Sequence, residues 1–179
     1  YELLAKELRT NRPDCKERRF GSTSDCDGQL LSTKFNATLN QQVVRALIDG
    51  IEITYSLSLP GRHWALNSLS VLLAVNALGE DLDRAAKAMT SVRPLTGRGE
   101  TNRISTNQTD QATLIDESYN ASPAAVQAAI KTLAEMAGSN RKILVLGDMR
   151  ELGPESQHMH AALAQDIEEN QIDLVFTSG

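Results

Sequence analysis

Two acids, Asp116 and Glu117, close a short apolar run within LIDESYNASPAAVQAAI (residues 114–130) and open a glycine-free loop that leads into Ser122 and Pro123. In a nucleotide-binding α/β fold, the turn from a strand into a helix usually carries glycines, which let backbone amides approach a phosphate. Carboxylates in that position repel phosphate. They suit a sugar hydroxyl, which can donate a hydrogen bond to a carboxylate as ribose does in dinucleotide folds. Adjacent residues of a strand face opposite ways, so the two acids do not form a dyad sharing one proton. A plainer reading stays open on spacing alone: acids that complement the helix dipole or solvate a loop.

GDMRELG, residues 147–153, repeats the arrangement of strand end, carboxylate and nearby helix. Ligands of open parallel sheets bind beyond the carboxyl ends of the strands, which would let Asp148 and Asp116 line one crevice. The alternative is a Gly-Asp turn closed by the aspartate's own side chain. In LPGRHWALN, residues 59–67, His63 and Asn67 are four apart and share a helical face if the helix begins by His63. The Asn67 amide offers both donor and acceptor, as an adenine edge requires, although either residue could equally serve the helix start. Arg98, between Gly97 and Gly99, is sterically free to reach a phosphate or to stay solvated. His158 and His160 diverge on a helix and do not read as a metal pair. No GxxxxGK[ST] loop, GxGxxG, HExxH or GxSxG occurs in the chain.

The elements that must position these residues fall into two unequal segments, 1–94 and 95–179. The first opens with an amphipathic helix carrying Leu3, Leu4 and Leu8 on one face, followed by a polar stretch without a readable pattern. IDGIEITYSLSLPG then alternates, with Ile51, Ile53, Tyr55, Leu57 and Leu59 on one side, which predicts a half-buried antiparallel strand ended by Pro60 and Gly61. Residues 65–78 are apolar nearly all round and predict a buried helix stopped by Gly79, and EDLDRAAKAM predicts another. Pro94, Gly97 and Gly99 mark a turn-rich connector and the boundary. Beyond it, ATLIDE, KILVLGD and IDLVFTSG predict strands, KILVLGD buried on both faces. They are separated by a helix from Pro123, N-capped by Ser122 with Val126, Ala129, Ile130 and Leu133 inward, and by one from Pro154 with Met159, Ala162, Leu163 and Ile167 inward. That order implies parallel strands with right-handed crossovers, half of a doubly wound α/β domain.

With a net charge of −5, no basic run and an aromatic share of only 4%, the chain is poorly suited to nucleic acid or an anionic membrane. Its longest apolar run, LSVLLAVNAL, is too short to span a bilayer and is interrupted by Asn76. Cys15 and Cys26 lack metal-ligand spacing and read as reduced thiols. The triplets NAT, NQT and NAS read as chance matches to the glycosylation pattern, since no secretory signal opens the chain at Tyr1.

LPGRHWALNSL, GRGE, IDESYNASP and LGDMRELGPESQHMH stand in the order and spacing of the Mur ligases, and the last two resemble the branch that adds D-alanyl-D-alanine. The resemblance implies an α/β fold: the end of a central ATPase domain in residues 1–94, then the first half of a Rossmann-like parallel C-terminal domain in 95–179. It implies ATP and Mg2+ as cofactors, with the magnesium held mainly by residues outside this chain. It also implies UDP-N-acetylmuramoyl-tripeptide and D-alanyl-D-alanine as substrates, an acyl-phosphate route to the amide, a monomer, and a cytoplasmic enzyme of cell-wall assembly. As ATP-binding residues it implies Asn67 at adenine, Arg98 near the phosphates and Glu117 at ribose, with Asp116, Tyr119 and Asn120 in the same loop signature. Glu117 stands where the family usually has Asp. Trp64 stands where the pattern GRHN has Asn, which predicts the loss of one polar contact near the nucleotide. The resemblance further implies a swing of the second segment about Gly97 and Gly99, and a chain that is inactive alone because the phosphate loop lies upstream. A diaminopimelate- or lysine-adding ligase fits DESYNASP and GDMRELG less well. A receiver-like signalling module shares the acidic pair, but its expected lysine and intervening strand are not evident.

Overall fold

The structure is a computed structural model. It describes every residue except Tyr1, Ala37, Thr38, Thr106, Gln108 and Thr109, and of Glu2 and Leu4 only the backbone. The NAT and NQT triplets, Tyr1 and the Leu4 side chain therefore lie wholly or partly outside the described residues. The opening helix, α1 (Glu2–Asn11), buries Ala5, partly covers Leu8 and leaves Leu3 exposed.

An antiparallel meander forms the first sheet: β2 (Gly28–Asn36) pairs with β3 (Gln41–Ile48), and β3 with β4 (Ile51–Leu57). The short β1 (Phe20–Gly21) adds a parallel edge to β2. Asp49 and Gly50 both take positive φ, 48° and 81°, as a two-residue type I′ hairpin turn requires. The strand expected from Ile48 onward is thus the end of β3, a turn, and β4. β2 and β3 have no clean alternation to read, because β3 turns Gln42 and Ala46 inward beside Val44 and Ile48. In β2, a register shift between Leu30 and Ser32 puts Leu31 out of step.

α2 (Arg62–Ala77) lays Ala65, Leu69, Leu72 and Leu73 on this sheet. α3 (Leu82–Ala88), N-capped by Asp81, contributes Ala86 to the same core. Inside it, Tyr55 Oη and Ser68 Oγ lie 2.6 Å apart, which satisfies two buried hydroxyls. α2 is not buried all round, as its composition suggested: one sheet covers one side, and Val71 and Leu78 remain exposed. Asn76, the break in the apolar run, donates to Asp49 Oδ2 at 2.6 Å and ties the helix end to the hairpin.

In the second segment, β5 (Glu100–Ser105) and β6 (Gln111–Asp116) form an antiparallel hairpin. β7 (Ile143–Gly147) and β8 (Leu174–Ser178) form a parallel pair. α4 (Pro123–Ala137) and α5 (Ser156–Glu169) pack Val126, Ile130 and Leu163 with Met149 into a second core. The alternating order of strand and helix is as predicted, and Ser122 caps α4 by accepting from Ala125 N–H. Two expectations are corrected. β6 finds its ladder partner in β5, a strand with no apolar pattern, and does not join the parallel pair. β7 is not buried on both faces: α4 and α5 cover only the Leu144 and Leu146 side, leaving Val145 76% and Phe176 54% exposed.

Candidate functional site

Where β6 ends, Asp116 and Glu117 part company. Asp116 Oδ1 accepts from Ser118 N–H at 3.0 Å, which closes the turn on itself. That hydrogen bonding to Ser118 holds the Asp116 carboxyl below the usual aspartate range. Glu117 turns inward and is half-buried. Desolvation, and next the charge of Asp116, push its carboxyl above the usual glutamate range, partly offset by Arg98.

The connector lies across this turn. Gly99 N–H donates to the Asp116 carbonyl at 2.8 Å and Tyr119 N–H to the Gly97 carbonyl at 3.1 Å. Gly97 and Gly99 are buried with φ of 74° and 83°, and a Cβ on Gly97 would come within 2.9 Å of the Tyr119 nitrogen. Only glycine takes that backbone conformation freely at such an approach. Arg98, between them, sets its guanidinium 4.1 Å over the centre of the Tyr119 ring, a cation–π contact that keeps the charge on the Glu117 side.

α2 supplies the other wall. Gly61, at its N-cap with φ of 104°, packs against Thr132 Oγ1 of α4 and brings the helix start to the second segment. Trp64, in the first turn, points its Nε1 at Gly99: that nitrogen and Glu117 Oε1 are each 3.2 Å from the position a Gly99 Cβ would take. Nε1 is buried and has no hydrogen-bond partner. The His63 ring lies 5.5 Å from that of Trp64, tilted by 43°, and burial lowers its pKa below the ordinary histidine range.

Of the residues singled out in the sequence, Arg98, Asp116, Glu117 and Tyr119 come together at this clasp. Asn67 is exposed, three residues beyond Trp64 and therefore one turn along the same side of α2. Asn120 Oδ1 accepts from Ala121 N–H at 2.9 Å and shapes the loop. Asp148 is elsewhere, in a cavity of about 410 Å³ lined by Asp148, Arg150, Glu151, Ser156 and His160, among others, and Asp116 does not line it.

Sequence reasoning missed two participants. Trp64 registered only as a lost contact, and its position at a helix start three residues after Gly61 was the available signal. His160 accepts from Met149 N–H at Nε2, 3.0 Å, and pairs with the Ser156 carbonyl through Nδ1, 2.7 Å, which fixes the loop after β7. Its i+4 spacing from Ser156 was the available sign. Chemically, the clasp offers a carboxylate acceptor, an unused indole donor and a nearby guanidinium. It suits a hydroxyl-bearing ligand with an anionic tail.

Residues 97–179 match the family described as Mur ligase, glutamate ligase domain. The UDP-N-acetylmuramoyl-tripeptide--D-alanyl-D-alanine ligase of Bacillus subtilis (strain 168) is 31% identical over 173 residues, which covers 96% of this chain and 36% of that protein. The chain belongs to the Mur ligase family. It spans about a third of the length of such relatives. The structure of MurF ligase from Thermotoga maritima in complex with ADP superposes on this Mur ligase chain with a TM-score of 0.74 at 26% identity, covering 96% of this chain and 38% of the other. MurF from Acinetobacter baumannii superposes with a TM-score of 0.80 at 24% identity, over 97% and 36%, a likeness of fold. The α/β architecture of the chain is that of these ligases.

Proposed function

We propose that the chain is part of an ATP-dependent ligase that joins D-alanyl-D-alanine to UDP-N-acetylmuramoyl-tripeptide in peptidoglycan synthesis, and that its clasp holds the adenosine portion of ATP. The observation that carries this reading is Glu117, a half-buried carboxylate held beside Gly99 by a turn that Asp116 and the connector lock. A ribose hydroxyl donates to Glu117. Arg98, stacked on Tyr119, keeps its N–H edge for phosphate oxygens. Asn67, one turn past Trp64, reads the adenine edge, while Asp116 and Asn120 shape the loop. When bound, ATP activates a substrate carboxylate as an acyl phosphate for attack by the incoming amine, and Mg2+, held mainly outside this chain, offsets the phosphoryl charge.

Residues 1–94 are read as the end of the central ATPase domain and 95–179 as the start of the C-terminal domain. Two separate cores and a family match beginning at residue 97 support that division. The enzyme acts as a cytoplasmic monomer on small soluble substrates, without nucleic acid or membrane. Among the described residues no helix is long and apolar enough to cross a membrane. The test is phosphate release from ATP by the intact ligase with UDP-N-acetylmuramoyl-tripeptide and competing amines. Release that depends on D-alanyl-D-alanine is expected; release driven by diaminopimelate or lysine on the shorter acceptor overturns the assignment. The 179-residue chain alone is expected to release none and to bind nucleotide weakly, because it carries no GxxxxGK[ST] loop to cradle the phosphates.

A further inference from the structure

Trp64 is the chain's single tryptophan, and its Nε1–H is enclosed without an acceptor. Buried indole N–H groups ordinarily find a partner, so an orphan beside a carboxylate calls for one. Nε1 and Glu117 Oε1 flank the same glycine, each 3.2 Å from where a Gly99 Cβ would stand, and the glycine puts no side chain between them. One neutral group satisfies both at once. A hydroxyl oxygen accepts from the indole while its hydrogen goes to the carboxylate. A carbonyl has nothing to donate, an ammonium nothing to accept with, and a phosphate is repelled by Glu117.

We propose that Trp64 Nε1–H and the Glu117 carboxylate clamp a single ribose hydroxyl, with Trp64 as its donor and Gly99 as the floor. This rests on the adenosine reading above and goes beyond it. The tryptophan that interrupts the expected motif supplies a polar contact from a rigid ring, and the longer arm of Glu117 reaches toward it. Discrimination between ribose and a sugar lacking hydroxyls then belongs to residues of both segments.

Because the chain has one tryptophan, a 15N-labelled sample gives one indole N–H cross-peak. Titration with ADP is expected to move that peak downfield, while 2′,3′-dideoxy-ADP leaves it in place and binds about fivefold more weakly or worse. Trp64→Phe keeps the ring and loses the donor; ADP binding, followed through the backbone amides, is expected to weaken about fivefold, with most of the preference over the dideoxy analogue lost. Wild-type affinity and preference in Trp64→Phe overturn the clamp while leaving the adenosine site standing. So does an indole peak that ADP does not move but Glu117→Gln does, since the donor then serves Glu117 directly. If millimolar ADP moves no amide in residues 97–99 or 117–119, the adenosine site fails and the clamp with it. Should Trp64→Phe not fold, the response of the wild-type indole peak to the two nucleotides decides alone.

Discussion

Glu117 and Asp116 are neighbours in sequence whose carboxyl groups are pushed in opposite directions, and that divergence separates their work. Folding raises the Glu117 pKa, so the folded chain keeps a proton over a range where the unfolded chain has lost it. Its stabilising contribution is therefore present below the ordinary glutamate range and declines as pH rises through the raised value. Hydrogen-bond acceptance from a ligand hydroxyl strengthens across the same rise, because it needs the carboxylate. At neutral pH, Glu117→Gln should leave the chain as stable or slightly more so, by well under about 1 kcal/mol given that half the group faces solvent, while ADP binding falls. Thermal unfolding and the amide titration, run on the same variant, check the pair of outcomes; a loss of stability together with unchanged binding contradicts it. His63 carries the opposite sign. Burial holds it neutral, so as pH falls through the ordinary histidine range the unfolded chain takes up a proton that the folded chain refuses, and stability drops. His63→Gln should lose part of the difference in melting temperature between about pH 7.5 and about pH 5.5. A difference as large as in the wild type would show that other groups set it.

At the scale of elements, the connector glycines are constrained rather than loose. Gly97 combines positive φ with a Cβ position 2.9 Å from the Tyr119 backbone nitrogen, so Gly97→Ala forces the clasp open. A cost of about 2 kcal/mol is expected by urea unfolding, larger than for Gly79→Ala, where positive φ is present but the space is open. Equal costs at the two sites would mean that the close approach to Tyr119 contributes nothing. The same comparison shows what the sequence could convey. α4, α5, β7 and β8 were legible because caps, apolar stripes and short apolar runs are local signals. β6 was legible as ATLIDE, but its partner β5 has few apolar residues, and β3 buries a glutamine, so neither pairing had a period to read. The loop residues of the site were legible through motif order. Trp64 was not, since its role depends on two backbone hydrogen bonds that carry Gly99 under it from 35 positions away in sequence.

Across the whole molecule, the two cores differ greatly in depth. Among the described residues, the meander core buries fourteen apolar side chains around α2, whereas four are buried between α4, α5 and the loop after β7. Contact between elements of the two segments is sparse, chiefly α2 with α4, and includes Gly61 with Thr132 and Trp64 with Gly99. Unfolding should therefore depart from a single step. Amide hydrogen exchange in α4 and α5 is expected to report loss at lower urea than the environment of buried residues such as Tyr55 in the meander core. Coincident transitions by both probes would indicate that the sparse contact suffices for one cooperative unit.

The backbone hydrogen bonds that tie Gly97 and Gly99 to the turn at 116–119 have a mechanical consequence. With both glycines fastened, Arg98, Tyr119 and Glu117 travel as one cassette, and any pivot lies upstream, in residues 92–96. Trp64 stays on the far side of that pivot. A hydroxyl held between Trp64 and Glu117 would thus act as a latch across the joint, so that opening the joint and letting go of the nucleotide become one event.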